Sequence, residues 1–197
     1  MPEKSKLLIC SSGLPGSGKG VILEAARKMG IPVVVMGDVV RRETERQGLT
    51  PDAENTGKIM LKYREKYGRE IFAKLIAGEI EGVEGDVVLV DGVRSPEELN
   101  YFRGRGWRVV TVVTLSSPET RFRRLRERGR IDEVANYEEF LERDGREIGV
   151  GLDRVILYAD HYMVNQGLDR RRALGEAERI IKKIWEQARN EEKEEKT

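Results

Sequence analysis

The sequence predicts an α/β protein in which a five-stranded parallel sheet lies between two layers of helices. Two observations carry that reading. Five short apolar runs, Leu7–Cys10, Val33–Met36, Asp86–Asp91, Trp107–Leu115 and Tyr162–Asn165, alternate with stretches of helical periodicity. Strands that alternate with helices pack as a parallel sheet covered on both faces. The first run also leads through Gly13-Leu14-Pro15-Gly16-Ser17-Gly18-Lys19 into a helical segment from Val21 onward. Strand, glycine-rich loop and helix in that order point successive backbone N–H groups, and the positive end of a helix dipole, at one phosphate chain.

Composition narrows the class. A chain of 197 residues is long enough for one compact domain with small insertions, so residues 1–197 are read as a single domain. The net charge of +1 gives no global pull toward nucleic acid or an anionic membrane. Charged residues make up 36% of the chain, which suits a surface rich in ion pairs. The single cysteine, Cys10, excludes an internal disulfide framework and fits a reducing compartment. No apolar run reaches membrane-spanning length, and the residues before Leu7 lack the apolar core of a signal peptide. A cytoplasmic protein with no membrane association is expected.

The loop reads G-x-x-x-x-G-K, with Lys19 able to reach the β- and γ-phosphates as a point charge. Gly20 stands where a Ser or Thr hydroxyl ordinarily meets Mg²⁺. Ile22, Leu23, Ala26 and Met29 give the next segment the stripe of a helix packed on a sheet, ended by Gly30. The second strand runs into Gly37-Asp38-Val39-Val40-Arg41. Asp38 either caps the helix that follows or serves as an outer-sphere metal ligand or base, and the two roles can coexist. Arg41 lies one turn inside that helix, near the carboxyl end of a parallel strand, where open α/β sheets bind ligands.

Residues 42 to 80 interrupt the strand–helix rhythm with consecutive helices. Thr50-Pro51-Asp52 reads as a helix start with Thr50 as N-cap, and Ile59, Tyr63 and Tyr67 mark an apolar stripe closed by Gly68. A second stripe runs through Ile71, Phe72, Leu75, Ile76 and Ile80. This region, about 41–80, looks like a mobile acceptor-binding insertion. Lys62, Arg64 and Lys66 face either that pocket or solvent, and solvent is favoured for the two lysines.

The third strand ends in Asp91-Gly92, and a carboxylate closing an apolar strand beside such a loop is the Walker-B arrangement, which holds Mg²⁺ directly or through water. With no hydroxyl at position 20, Mg²⁺ would lean on nucleotide phosphates, water and Asp91. Ser95-Pro96-Glu97-Glu98 is a capping box with proline at the first helical position. After the fourth strand, Ser117-Pro118-Glu119 opens a helix carrying Arg121, Arg123, Arg124, Arg126, Arg128 and Arg130. Such a cluster is a nucleic-acid patch, a solvated face or a phosphate clamp. In a chain of nearly zero net charge, one local cluster favours the clamp, with nucleic acid disfavoured but not excluded. Asn136 begins a further helix, with Phe140, Leu141 and Ile148 as its apolar side and Arg143 and Arg146 on the opposite face. His161, the lone histidine, reads as a strand-edge residue. Leu174, Ala177, Ile180, Ile181, Ile184 and Trp185 define an amphipathic terminal helix, followed from Asn190 by a charged tail expected to fray.

Taken together, these segments resemble the adenylate kinases and nucleoside-monophosphate kinases. Gly13 to Gly20 is similar to their G-x-P-G-x-G-K-G loop, although the next residue, usually Thr there, is Val21 here. Gly37-Asp38-Val39-Val40-Arg41 resembles their G-D-x-x-R element, and Asp91-Gly92-Val93-Arg94-Ser95 their D-G-F-P-R-[ST] element shortened by one residue. Arg124-Leu125-Arg126-Glu127-Arg128-Gly129-Arg130 resembles the start of a lid, and Asn165-Gln166-Gly167 the N-x-G turn beside the adenine. In combination the motifs look most like an archaeal adenylate-kinase-related family of unassigned function, with dephospho-coenzyme A kinases as more distant neighbours. The resemblance implies a three-layer P-loop kinase fold with strand order 2-3-1-4-5, an acceptor-binding insertion and a lid over about 117–150.

It also implies roles. ATP and Mg²⁺ are the cofactors. Gly13, Leu14, Pro15, Gly16, Ser17, Gly18, Lys19, Gly20, Val21 and Asn165 surround ATP, Arg41 and Arg94 grip the acceptor's phosphate, and Arg128 and Arg130 close over the transferring phosphoryl group. The expected activity is transfer of the γ-phosphoryl group to a small phosphate-bearing acceptor, with Asp38 as base if the acceptor were a hydroxyl. Two alternatives remain at this level: a P-loop ATPase that drives an RNA or protein partner, and a nucleotide-binding regulator with little turnover. The oligomeric state is not legible in the sequence.

Overall fold

A computed structural model of the chain describes residues 6–127 and 136–194. Strands β1 (Leu7–Ser12), β2 (Val33–Val35), β3 (Val87–Asp91), β4 (Arg108–Leu115) and β5 (His161–Val164) form one sheet. Their order is β2-β3-β1-β4-β5, and every neighbouring pair is parallel. The parallel sheet read from the apolar runs and the strand order implied by the resemblance are therefore both present.

The pleat divides the sheet between two cores. Leu8 and Cys10 of β1 and Val88 and Val90 of β3 face one core, while Leu7 and Ile9 of β1 and Val87 and Leu89 of β3 face the other. The first core is closed by α2 (Met36–Arg46), α3 (Ala53–Tyr67), α4 (Ile71–Gly82), α5 (Pro96–Gly104) and α8 (Leu152–Leu157). The second is closed by α1 (Gly20–Lys28) and the long α9 (Arg170–Glu194). All side chains of β1 and β3 are buried, which is why both strands read as continuous apolar runs rather than alternating ones. Burial also pushes the Cys10 thiol well above its ordinary titration range, so it behaves as a small core residue.

Two helices, α6 (Pro118–Glu127) and α7 (Tyr137–Gly149), pack on each other around Phe122, Leu125 and Phe140. Their deepest contact is ionic. The Arg121 guanidinium donates to both carboxylate oxygens of Asp144, at 2.8 and 2.6 Å, and lies over the Phe140 ring. Both ends of this pair are buried. The apolar side read from the sequence for α7 is thus only partly right. Phe140 is buried, but Leu141 and Ile148 are 51% and 44% exposed, and the inward positions next to Phe140 belong to Asp144 and Glu147.

Several helix starts differ from expectation for local reasons. The capping box at Ser95 is present in both directions, with Ser95 Oγ accepting from Glu98 N and Glu98 returning to Ser95 N. Asn136 caps α7 as expected, accepting from Glu139 N. The N-cap of α3 is Asp52 rather than Thr50: its carboxylate accepts from Asn55 N at 2.8 Å, with Pro51 preceding the cap. Asp38 does not cap α2, because β2 passes into that helix without a loop and leaves Asp38 in its first turn, where its charge opposes the helix dipole favourably. The short α8 was not anticipated, and α9 continues through Glu194 into the segment expected to fray. Among the described residues, no helix is long and apolar enough to cross a membrane.

Two predictions follow from this packing. Asp144→Ala removes the partner of a buried guanidinium, and breaking such a pair costs about 3–5 kcal/mol. Urea unfolding should show that loss, and an apolar replacement of both Arg121 and Asp144 should recover most of it. His161, at the start of β5, is held below its ordinary value of 6.5 by partial burial and by Lys183, which together outweigh Asp160. The unfolded chain therefore takes up this proton first as pH falls, so His161 contributes stability that is full above about pH 6.5 and declines below it. His161→Gln should flatten the acid-side slope of the melting temperature between about pH 7 and pH 5.

Candidate active site

The carboxyl ends of the central strands converge on one cavity. In the sheet register Ser11 of β1 stands beside Asp91 of β3, and Val35 of β2 stands on the other side of Asp91. Each strand end therefore releases its loop onto the same edge of the sheet, as ligand sites in open α/β sheets require. The cavity is about 350 Å³ and is lined by Gly13 through Gly20, by Gly37, Val40 and Arg41 from α2, by Asp91 to Arg94 after β3, and by Arg64, Phe72, Leu125, Arg143 and Glu147. That volume is in the range of small-ligand sites.

The glycine loop is held in shape from outside. Gly16 has φ +80°, and a Cβ there would stand 2.5 Å from the Arg121 carbonyl oxygen, so both conformation and space demand glycine. Gly18 has φ +86° and lies against the Asn165 side chain. Asn165 Nδ2 donates to Ser17 O at 3.1 Å, Arg124 donates to Ser17 O and to Asn165 O, and Arg121 donates to Pro15 O at 3.2 Å. The loop backbone is thus braced by α6 and by the turn after β5, and Ser17 N–H closes a turn onto Leu14 O at 3.1 Å within it, so the loop lines the cavity in a fixed shape.

Within the cavity Lys19 Nζ donates to Asp91 Oδ2 at 2.7 Å, while Asp91 Oδ1 is buried without a partner. Ser17 Oγ is likewise buried and unpartnered. An orphaned carboxylate oxygen beside a phosphate loop suits a hard cation that brings most of its ligands from water and nucleotide. Among the described residues no group of three or more His, Cys, Asp or Glu could hold a metal ion, so Mg²⁺ here would depend on the nucleotide.

Across from the loop stand the arginines. Arg94 Nη1 contacts Met60 Sδ at 3.0 Å, and its Nε lies 3.0 Å from Glu147 Oε2 but off the hydrogen-bond axis, a Coulombic pair rather than an aligned bond. Arg41 is ion-paired with Asp38 one turn earlier, a local partner that the sequence reading did not foresee. A second cavity of about 500 Å³ shares Gly37, Val40, Arg41, Arg94, Arg143 and Glu147 with the first and continues between α3 and α7.

Most residues singled out in the sequence meet here: Gly13, Leu14, Pro15, Gly16, Ser17, Gly18, Lys19, Gly20, Asp91, Arg41 and Arg94 all line the first cavity. Asp38 does not line either cavity, Val21 packs into the second core, and Asn165 acts on the loop from behind. Arg128 and Arg130 lie outside the described residues. Arg143 and Arg146 both reach the second cavity, and Arg143 the first as well. Glu147 is a cavity residue that the sequence reading did not select, and Arg64, which that reading left open between pocket and solvent, lines the cavity too. For Arg64 a signal existed: it follows Met60 at i+4 on the buried stripe of α3, and a cation on an apolar stripe is seldom there for packing alone.

Comparison with known proteins agrees with this geometry. A family model described as an AAA domain matches residues 12–140. Among solved structures, TT1252 from Thermus thermophilus superposes with a TM-score of 0.64 at 20% identity, covering 93% of this chain and 98% of that one. A shikimate kinase from Bacteroides thetaiotaomicron gives 0.61 at 19% identity over 91% and 98%, and these likenesses establish the P-loop kinase-like fold. A UPF0200 protein from Hyperthermus butylicus is 42% identical over 184 residues, covering 93% of this chain and 98% of the relative. UPF0200 protein MK0400 from Methanopyrus kandleri is 46% identical over 164 residues, 81% of each chain. With the P-loop, the strand order and these archaeal relatives in agreement, the chain belongs to the UPF0200 family.

Proposed function

We propose that the protein is an ATP-dependent phosphotransferase that moves the γ-phosphoryl group onto a small anionic acceptor, a phosphate-bearing one by the arginine content of its pocket. One observation carries this reading: a single cavity runs from the phosphate loop, past Asp91, to Arg41, Arg64, Arg94 and Arg143. A donor loop and an acceptor clamp that face each other across one carboxylate are what in-line transfer needs. The fold neighbours include a shikimate kinase from Acinetobacter baumannii in complex with shikimate, at TM-score 0.52. That neighbour is consistent with a small-molecule acceptor here.

The residues divide the work by position. Backbone N–H groups from Gly13 to Gly20 bind the donor phosphates, and Lys19 exchanges Asp91 for the β- and γ-phosphates when the nucleotide enters. Mg²⁺, when bound with the nucleotide, neutralises phosphate charge, and Asp91 is the residue placed to hold it directly or through water. Arg41 and Arg94 orient the acceptor, with Arg128 and Arg130 assigned to the closing of the site over the transferring group. A phosphate acceptor is already anionic, so the chemistry needs no strong base. Asp38, engaged by Arg41, is then a partner that keeps the Arg41 guanidinium in place.

Steady-state ADP release from Mg·ATP tests the proposal against AMP, CMP, UMP, GMP, dephospho-coenzyme A and total RNA. One small acceptor should stimulate turnover strongly, Lys19→Ala should lower it about 100-fold or more, and Arg41→Ala should raise the acceptor KM about tenfold to 100-fold. Turnover that ignores every small acceptor and rises with RNA would instead establish a partner-driven ATPase.

A further inference from the structure

We propose that Arg64 is a ligand for an oxyanion group of the acceptor, held for that purpose by the buried carboxylate of Glu98. The identity of the ligand as an acceptor rests on the phosphotransferase reading, whereas the anion site itself rests on the geometry of Arg64. Arg64 lines the first cavity although it is only 7% exposed. Its Nη2 donates to Glu98 Oε1 at 2.7 Å, but Nε and Nη1 are buried and have no hydrogen-bond partner among the described residues. A guanidinium carries five N–H donors, and leaving several unmet inside a protein is costly unless a ligand supplies the acceptors.

The surroundings fix the group rather than satisfy it. The Phe72 ring lies 4.9 Å from Arg64 Cζ and covers one face of the guanidinium. Glu98 is fully buried, and its second oxygen accepts from the backbone N–H groups of Arg94 and Ser95, at 2.7 and 3.2 Å. One carboxylate therefore joins α3 to the loop after β3, so that Arg64 and Arg94 come to the cavity at a set separation. What a sequence reads as a helix cap is also the clamp between two cavity arginines. Glu98 is a positioning residue; Arg64 is the group that meets the ligand. A phosphate monoester and a carboxylate share the oxyanion chemistry that a guanidinium edge recognises.

The test is a ¹H–¹⁵N correlation of the arginine Nε–H signals in the full chain, saturated with Mg²⁺ and β,γ-imido-ATP so that the donor site is filled. Inorganic phosphate and acetate are titrated separately at constant ionic strength, and the Arg64 signal is identified by its absence from Arg64→Lys. The Arg64 Nε–H should move downfield with phosphate if the acceptor carries a phosphate, or with acetate alone if it carries a carboxylate. Arg64→Lys keeps a cation for Glu98 and should unfold cooperatively like the wild type, yet bind the anion at least about tenfold more weakly. An Arg64 signal unmoved by either anion, or a lysine variant of undiminished anion affinity, would show a structural ion pair and overturn the proposal. Stimulated turnover with an unmoved Arg64 signal would sink only the Arg64 assignment. A responding Arg64 with no acceptor-dependent turnover would sink only the kinase reading.

Discussion

The arrangement depends on β1 being paired in register on both sides and buried on both faces. Ser11 beside Asp91, and Ser12 beside Val113, fix where the strand ends. The phosphate loop must therefore start level with the Asp91 carboxylate, and Lys19, at the far end of the loop, returns to within hydrogen-bond distance of that same carboxylate. A one-residue slip would turn Leu8 and Cys10 toward the wrong core and carry the loop away from Asp91. The hydrophobic pattern of one strand thus sets the geometry of the charged site at its end.

Around that fixed centre, buried polar pairs place the surrounding helices. Glu98 joins α3 to the loop after β3, and Asp144 joins α7 to α6 through Arg121, which in turn reaches the loop carbonyl of Pro15. Such pairs contribute less net stability than an apolar contact of equal size, because both charges must leave water. Their value here is geometric. They bring the helices from opposite flanks of the sheet edge to the cavity with defined separations, so that cations meet at the mouth without relying on long flexible surface side chains.

Much of this was legible in the chain. The apolar runs marked five strands, most plainly β1 and β3, which are buried on both faces and carry no alternation to be misread, and the loop motif sits between a strand and a helix as its chemistry requires. Asp91 stood out as a carboxylate ending such a run. What escaped was long-range polar pairing. Arg64, between Lys62 and Lys66, reads equally toward the pocket or toward solvent until Glu98, 34 positions away, is seen beneath it. Asp144 sits among charged neighbours and looks exposed until Arg121 is found against it. The apolar side assigned to α7 failed for the same reason, since Asp144 and Glu147 occupy inward positions that hydropathy awards to Leu141 and Ile148. For Asp38 a capping role stood beside a metal or base role; no cap forms, because β2 runs straight into α2 and the carboxylate turns to Arg41.

The central claim is that one cavity holds both the phosphoryl donor and the group that receives it. Following the γ-phosphorus of Mg·ATP by ³¹P NMR, with nucleoside monophosphates, dephospho-coenzyme A and an archaeal small-molecule extract as acceptors, tests that claim most directly. The account predicts that the phosphorus leaves ATP and reappears in a new organic phosphate signal, with ADP formed in equal amount. Recovery of all of it as inorganic phosphate, whatever small molecule is present, would contradict the account and make the protein a hydrolase.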